Sequence, residues 1–424
     1  SELEKQINNG KGHLNWVLTT YKTLTNYQHS LAKIPFVAAV FDEIQNIKNP
    51  GTLAANASRA MNADFRIGLT GTPIENTTVD LWAIMDQLTP GALGSLEDFR
   101  QRYGEANEQN MQELHSRVFE SHDELPPLAL RRLKENVARD LPSKTRFLHP
   151  RKMSELQASR YEEARAKFSA GSLGDALKRL HHIRSVSVHP AFEKKLSDDE
   201  FISSSAKLSA TFEILRKIQK ANERALVFIE SIQMQYRFIE LVKIEFNLKQ
   251  VDLINGQTPI SKRQEIVNRF QEHLEKDQGF DLLVLGPKAA GTGLTLTAAT
   301  HVIHLSRWWN PAVEEQCNDR THRLGQARPV TVHVPLAVHP LYREHSFDLL
   351  LQSLMQRKRR LASAALWPMG DTKEDTQKLQ ESISSNVSTK ELQGDIIEES
   401  MKVLFERDEL TWKEANAFGA WEYP

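Results

Sequence analysis

Apolar residues along the chain fall into short runs separated by longer amphipathic stretches. Phe36–Phe41 (FVAAVF), Phe65–Leu69, Arg224–Phe228 (RALVF), Val251–Asn255, Leu282–Leu285 and His301–Leu305 are brief and rich in Val, Leu, Ile and Phe. That is the pattern of strands buried on both faces. Asn15–Tyr21 (NWVLTTY) reads as a further strand, and the stretch around Val332 as another. Between them lie helical patterns: Val79–Leu88 with Leu81, Trp82, Met85 and Leu88 on one face, then Leu208–Ala221, Ser231–Phe246, Arg263–Phe270 and Ser346–Ala362. Strands alternating with helices of these lengths predict the α/β class, with doubly wound, mostly parallel sheets. Residues 95–125 and 151–200 read as polar helices, the latter ending in a charged tract at Lys194–Glu200. Residues 1–13 are a polar lead-in, residues 370–400 a polar linker, and Ile396–Glu406 a last helix.

Composition narrows the class. A chain of 424 residues holds about two to three domains. The formal net charge is -1, so a globally basic nucleic-acid binder is not indicated, and any DNA contact has to come from a local stripe of Lys and Arg. The single cysteine, Cys317, excludes an intramolecular disulfide and a multi-cysteine zinc site, and fits a reducing, cytoplasmic setting. No apolar run approaches a transmembrane length. The first residue is Ser1 rather than Met, as in a fragment or processed piece.

Three places carry candidate chemistry. Asp42-Glu43-Ile44-Gln45 follows the first apolar run, at the strand edge where open α/β sheets bind ligands. There one carboxylate can hold magnesium and the next can activate water. Thr70-Gly71-Thr72-Pro73 follows another run and suits a turn that hydrogen-bonds a carboxylate or phosphate. In the third place, Gly291 and Gly293 permit close backbone approach to a ligand. Beyond Pro311, a predicted helix carries Gln316, Arg320 and Arg323 at spacings of four and three, two guanidiniums suited to a polyphosphate. Each feature alone has a blander reading. Paired carboxylates and helical arginines are mostly solvated surface, and a Thr-Gly-Thr-Pro run is mostly a turn.

Their company changes the balance. Thr19-Thr20-Tyr21, DEIQNIKN from Asp42, GLTGTPIEN from Gly68, AAGTGLTL from Ala289, WNPA from Trp309 and QCNDRTHRLGQ from Gln316 together resemble the Swi/Snf-type DNA translocases of helicase superfamily two. Weaker likenesses run through Leu130–Lys144 (LRRLKENVARDLPSK), Leu180–Pro190, where Val188 replaces the usual Cys, Ser203–Lys207, and INGQTPISKRQEIVNRF from Ile254. LWAIMDQLTPGALGS from Leu81 looks like the prokaryotic branch. The resemblance covers about residues 15–362.

It implies two RecA-like lobes with helical protrusions: a first lobe in residues 1–145 (protrusion about 78–130), a helical linker at 146–202, a second lobe at 203–345, a bracing helix at 346–362 and a polar tail at 363–424. It also implies ATP and Mg2+ between the lobes. Asp42 would hold the metal and Glu43 activate water, while Arg320 and Arg323 act as arginine fingers. Gln45, Thr70, Gly71, Gly291, Gly293 and Gln316 would contact nucleotide. The implied partner is duplex DNA held by its backbone, with Lys288, Trp309 and Asn310 as contacts, and protein partners would use the protrusions or tail. Arg131, Arg132 and Lys134 would touch ATP phosphates or brace the lobes. The basic run Arg357–Arg360 reads as a solvated face more readily than as a DNA site.

One departure matters. No GxxxxGK[ST] run occurs, and Gly10-Lys11-Gly12 is no substitute. The expectation is a first lobe that is incomplete, entered partway and lacking the strands that precede TTY, so that the polypeptide as given does not hydrolyse ATP alone. An ATPase-dead DNA- or partner-binding module and a strand-separating helicase are the competing readings. The prokaryotic cast leaves transcription recycling, repair and anti-phage defence open.

Overall fold

Two parallel sheets organise the chain. The computed structural model describes residues 16–75, 77–122, 125–132, 134–138, 140–166, 173–192, 196–287 and 293–364, with 375, 377, 379, 380, 382, 383 and 420–422 beyond them. The smaller sheet pairs β1 (Phe36–Phe41) with β2 (Ala63–Gly68) in parallel, Phe36 opposite Ala63 and Phe41 opposite Gly68. One face packs through Phe41 onto Ile44, Ile47, Ala55 and Ile84. Gly68 packs closely there: a Cβ would lie 2.7 Å from Leu88 Cδ1 and 2.8 Å from Ile44 Cδ1, so those side-chain ends would have to shift. The other face leaves Val40, Phe65 and Ile67 exposed. Helices Val79–Leu88, Leu96–Tyr103 and Glu108–Phe119 form a small helical core around Leu81, Met85, Phe99, Tyr103, Met111 and Leu114.

The larger sheet contains β3 (Lys144–Lys152), β4 (Arg224–Phe228), β5 (Asp252–Ile254), β6 (Asp281–Leu285), β7 (His301–His304), β8 (Val330–Val338) and β9 (Ala420–Glu422), in the order β5-β6-β4-β7-β8-β3-β9. Six strands are parallel, and β9 lies antiparallel on the edge of β3. Side chains alternate between two cores, as the pleat requires. Leu226, Phe228, Leu283 and Leu285 meet Ile266, Val267 and Phe270 of helix Ile260–Gln271. Ala225, Val227, Leu282 and Val284 meet helices Ala206–Lys220 and Ile232–Glu245. Serines start both of those helices: Ser205 accepts the Leu208 N–H and Ser231 the Met234 N–H.

The chain divides into two compact units, Ser1–Leu130 with Lys358–Thr372, and Arg131–Arg357 with Lys373–Pro424. Among the described residues no helix is long and apolar enough to cross a membrane. The α/β class and the parallel sheets are as the apolar pattern predicts.

Three local expectations fail. Residues 16–20 of the predicted strand Asn15–Tyr21 have no regular structure. Tyr21 instead opens helix Tyr21–Asn26, because the Thr20 side chain caps it by accepting the Thr23 N–H, and no described strand lies beside the run. β3 is a strand where the sequence suggested junction and helix. Within the stretch read as a polar linker, Leu379 and Ile383 are buried against Tyr161, Phe347 and Leu351, and the Ile383 carbonyl accepts from Arg165 Nε at 2.8 Å. The helix expected at Ile396–Glu406 lies outside the described residues.

Across β3, β8 and β7 runs a row of three imidazoles. His149 Nε2 lies 3.0 Å from His333 Nδ1, and His333 Nε2 lies 3.0 Å from His301 Nδ1. His301 Nε2 lies 2.5 Å from a Glu223 carboxylate oxygen. That carboxylate only accepts, so His301 donates to it through its Nε2–H. Burial, aided by Arg151, pushes His149 down to about 3. Burial and its flanking imidazoles hold His333 well below the ordinary histidine value. Both rings are therefore neutral in the folded protein at pH values where the unfolded chain protonates. Stability is fully present above about pH 6.5 and drains as pH falls, by about 2 kcal/mol for His149 at pH 5, and His333 acts in the same direction. Denaturant unfolding at pH 7.5 and 5.0 checks this. The wild-type chain should lose distinctly more stability than a His149→Gln, His333→Gln variant, and equal losses would refute the assignment.

Candidate functional site

The first unit gathers two loops at the C-terminal edge of its sheet. Ladder bonds continue past both strands: Leu69 N–H donates to Phe41 O at 2.9 Å and Ile44 N–H to Leu69 O at 3.0 Å. This brings Asp42–Gln45 beside Thr70–Glu75. Glu43 takes a left-handed backbone, φ 49°, which is uncommon for a residue with a Cβ. Its N–H donates to Asp42 Oδ1 at 3.0 Å, and its carboxylate accepts from Gln45 Nε2 at 2.5 Å. Gln45 is only 7% exposed, and its Oε1 is buried without a hydrogen-bond partner among the described residues. The Tyr21 hydroxyl donates to the Asp42 carbonyl at 2.8 Å. Burial first, then the charges of Asp42 and Glu43, push that hydroxyl up to about 12, so it is a permanent donor at neutral pH.

Lys48 ties the two loops together. Its ammonium pairs with Glu75 and, at 3.2 Å, with Asp80, whose carboxylate also accepts the Glu75 N–H at 3.1 Å. Thr70 Oγ1 accepts the Thr72 N–H at 3.0 Å, and Gly71 borders open space. The donors here are oxygens, which suit a hard divalent cation. Among the described residues no three His, Cys, Asp or Glu side chains converge as a metal cage. Magnesium bound to a nucleotide needs only one or two carboxylates, with phosphate oxygens and water completing its octahedron, so Asp42 fits that role.

The second unit presents the arginines. Helix Pro311–Asn318 starts with Pro at its first position and with Asn310, whose side chain accepts the Ala312 N–H at 2.8 Å. It ends earlier than the spacing suggested. Gln316 is helical, but Arg320 and Arg323 lie in the turn after the C-cap Asp319. A partner outside the helix fixes the turn: the Arg320 carbonyl accepts the Leu296 N–H at 2.8 Å. Arg320 and Arg323 are both half-buried, and Arg323 Nη1 donates to the Leu294 carbonyl at 3.2 Å. Gln326 Nε2 spans Thr297 O and Ala299 O at 3.1 and 3.0 Å, sewing the turn to the Gly293–Ala299 loop. Gly293 has φ 68°, a conformation that a side chain would strain. Lys288 and Gly291 lie outside the described residues.

Buried charge anchors this helix. Glu314 and Arg307, each 1% exposed, pair at 2.7 Å, and the equally buried Arg146 of β3 reaches Glu314 at 3.4 Å and Glu315 at 2.8 Å. Lys144 adds a contact to Glu315 at 2.9 Å. Lys134 donates to Asp319 Oδ1 at 2.7 Å and to the His322 carbonyl. Trp309 packs edge-on against Phe347, with centroids 5.6 Å apart, and the Arg184 guanidinium lies 5.9 Å from its ring. Sequence reasoning missed Lys48, Arg146 and Glu314 as fastenings. Lys48 stood inside the DEIQNIKN run, whereas the partners of Arg146 lie 168 and 169 residues away.

Residues 2–224 match the family model for the SNF2-related domain, and residues 206–325 match that for the helicase conserved C-terminal domain. The chain is 33% identical over 365 residues to the Zorya protein ZorD of Escherichia coli O139:H28, covering 83% of this chain and 33% of that protein. It is 34% identical over 376 residues to YwqA of Bacillus subtilis strain 168, which carries an ATP-dependent helicase/translocase name, covering 86% of this chain and 39% of that protein. The chain therefore spans 33–39% of the length of these curated relatives. Against the solved Sulfolobus solfataricus SWI2/SNF2 ATPase core in complex with dsDNA it is 29% identical, covering 88% of this chain and 75% of that one. The TM-score there is 0.44, too low for the superposition to add to the sequence match. With more than half of its length inside the first of those family models, the chain belongs to the SNF2-related family, and its second unit carries a helicase conserved C-terminal domain.

Proposed function

We propose that the chain is the motor portion of an ATP-dependent translocase on duplex DNA. The observation that carries this reading is the sheet edge of the first unit, where Asp42, Glu43 and Gln45 are fastened beside the Thr70–Glu75 loop. In this reading Asp42 holds Mg2+ on ATP, and the metal supplies neutralisation of phosphate charge. Glu43 takes a proton from the attacking water. Gln45 holds Glu43 in place, and Thr70 and Gly71 respond to the terminal phosphate. The second unit supplies Gln316, Gly291 and Gly293 to the nucleotide, with Arg320 and Arg323 countering charge that develops on the γ-phosphate. Nothing in the sequence matches a phosphate loop, so turnover is assigned to the full-length protein. Lys288, Trp309 and Asn310 contact the DNA backbone without reading bases. Asn310 also caps its helix and Trp309 also packs on Phe347, so Lys288 is the clean probe of that contact.

In the full-length protein, Glu43→Gln should leave ATP binding intact and lower duplex-stimulated hydrolysis about a hundredfold or more. Hydrolysis near wild type would exclude Glu43 as the base. Arg323→Ala should cost about a thousandfold in turnover while sparing DNA binding, and a normal rate would exclude it as a finger. Lys288→Ala should weaken binding equally on unrelated duplexes and flatten the dependence of log K on log salt by about one unit. An unchanged slope would place Lys288 off the DNA.

A further inference from the structure

The two arginines sit on a turn, not on a helix, so something other than helical hydrogen bonding must hold them. The Asp319–Gly325 turn is fastened to the Leu294–Ala299 loop on one side. On the other side it meets the segment by which the chain enters the second unit. Lys134 Nζ donates to Asp319 Oδ1 at 2.7 Å and to the carbonyl of His322. These two residues bracket Arg320, and His322 directly precedes Arg323. The same ammonium lies beyond the C-terminus of helix Pro311–Asn318, where a positive charge offsets the exposed carbonyl ends. Eight residues further on, the Pro142 carbonyl lies 2.7 Å from His322 Nε2. Burial lowers the His322 pKa below the ordinary histidine value, so the ring is neutral and its Nε2–H donates to that carbonyl. Lys144 and Arg146 then grip Glu315 and Glu314 of the helix itself.

We propose that Lys134 is a positioning residue for the arginine pair: its ammonium, fixed between Asp319 and the His322 carbonyl, sets where Arg320 and Arg323 point. The assignment rests on the proposed role of those arginines in hydrolysis. Lys134 touches neither nucleotide nor metal in this account. It acts by denying the turn the small shifts that a charge-stabilising group cannot tolerate, since a misplacement of about 1 Å can cost a hundredfold in rate.

The test uses the full-length protein with duplex DNA and ATP. Lys134→Met keeps most of the length and an apolar stem but removes the charge. It should lower kcat about tenfold or more, with KM for ATP and duplex affinity within about twofold of wild type. Lys134→Arg, which keeps charge and reach, should recover most of the loss. In an Arg320→Ala, Arg323→Ala background, Lys134→Met should slow residual single-turnover hydrolysis no further, because its effect passes through the arginines. Asp319→Asn removes the ion pair from the other side and should reproduce the kcat loss, which covers the case in which Lys134→Met does not fold. Wild-type kcat in Lys134→Met or in Asp319→Asn would overturn the proposal. So would a loss confined to KM, or a loss that multiplies with the Arg320→Ala, Arg323→Ala pair. If Arg323→Ala and Arg320→Ala themselves hydrolyse ATP normally, the reading of the arginines fails. If they are inactive while Lys134→Met is active, the positioning role alone fails.

Discussion

A carboxylate removed from water has to be answered in kind. Glu314 is as buried as any apolar residue in the core, and its two oxygens are met by the equally buried guanidiniums of Arg307 and Arg146. Removing one partner of such a group leaves a bare charge in a low-dielectric interior, a loss of about 3–5 kcal/mol. The second unit is therefore committed to one arrangement, in which the segment after β7, the helix Pro311–Asn318 and strand β3 meet at this point. Everything that presents the arginine pair is built outward from it: Glu315 takes Lys144 and Arg146, Asn318 takes His304, and Asp319 takes Lys134.

The first unit solves a related problem differently. Its candidate base is held by backbone geometry. A left-handed residue at the end of a strand turns the chain sharply, and Glu43 tolerates that conformation because its neighbours over-determine it. Asp42 receives its N–H, Gln45 holds its carboxylate, and Tyr21 holds the preceding carbonyl. The strain and the fastening fall on the same two residues, which is where chemistry demanding exact placement is expected.

Much of this was legible along the sequence. Runs such as RALVF and DLLVL are apolar on both faces and became central strands, and DEIQ fell at the strand edge where its pattern placed it. Two of the failures, β3 and the arginine turn, depend on partners remote in sequence. KTRFLHPRK reads poorly as a strand because Arg146 and His149 interrupt its apolar character and Pro150 lacks an N–H. Arg146 pairs with glutamates 168 and 169 residues on, and Pro150 lies beyond the three residues that pair with β9. NWVLTTY has the composition of a strand but no described neighbour to pair with, and a threonine cap decides its end. The arginine spacing continued a helical period that the Leu296 N–H interrupts. Periodicity reports which face is apolar, and it does not report where a distant donor ends an element.

The row of imidazoles across β3, β8 and β7 bears on register. Strands built from Val, Leu and Ile can slide past one another by two residues and still present apolar side chains to the same face, so hydrophobic patterning alone specifies their alignment weakly. His149, His333 and His301 remove that freedom. Neighbouring rings face each other nitrogen to nitrogen, and the row ends on a single carboxylate. Sliding any one strand by two residues would separate its ring from its partners and leave buried nitrogens unanswered on both sides. β3 and β8 carry at their ends the junction segment and the turn with the arginines, so a slip there would displace both together. The imidazole row acts as a dowel through three strands, and the alignment it fixes is the one on which the arginine turn is mounted.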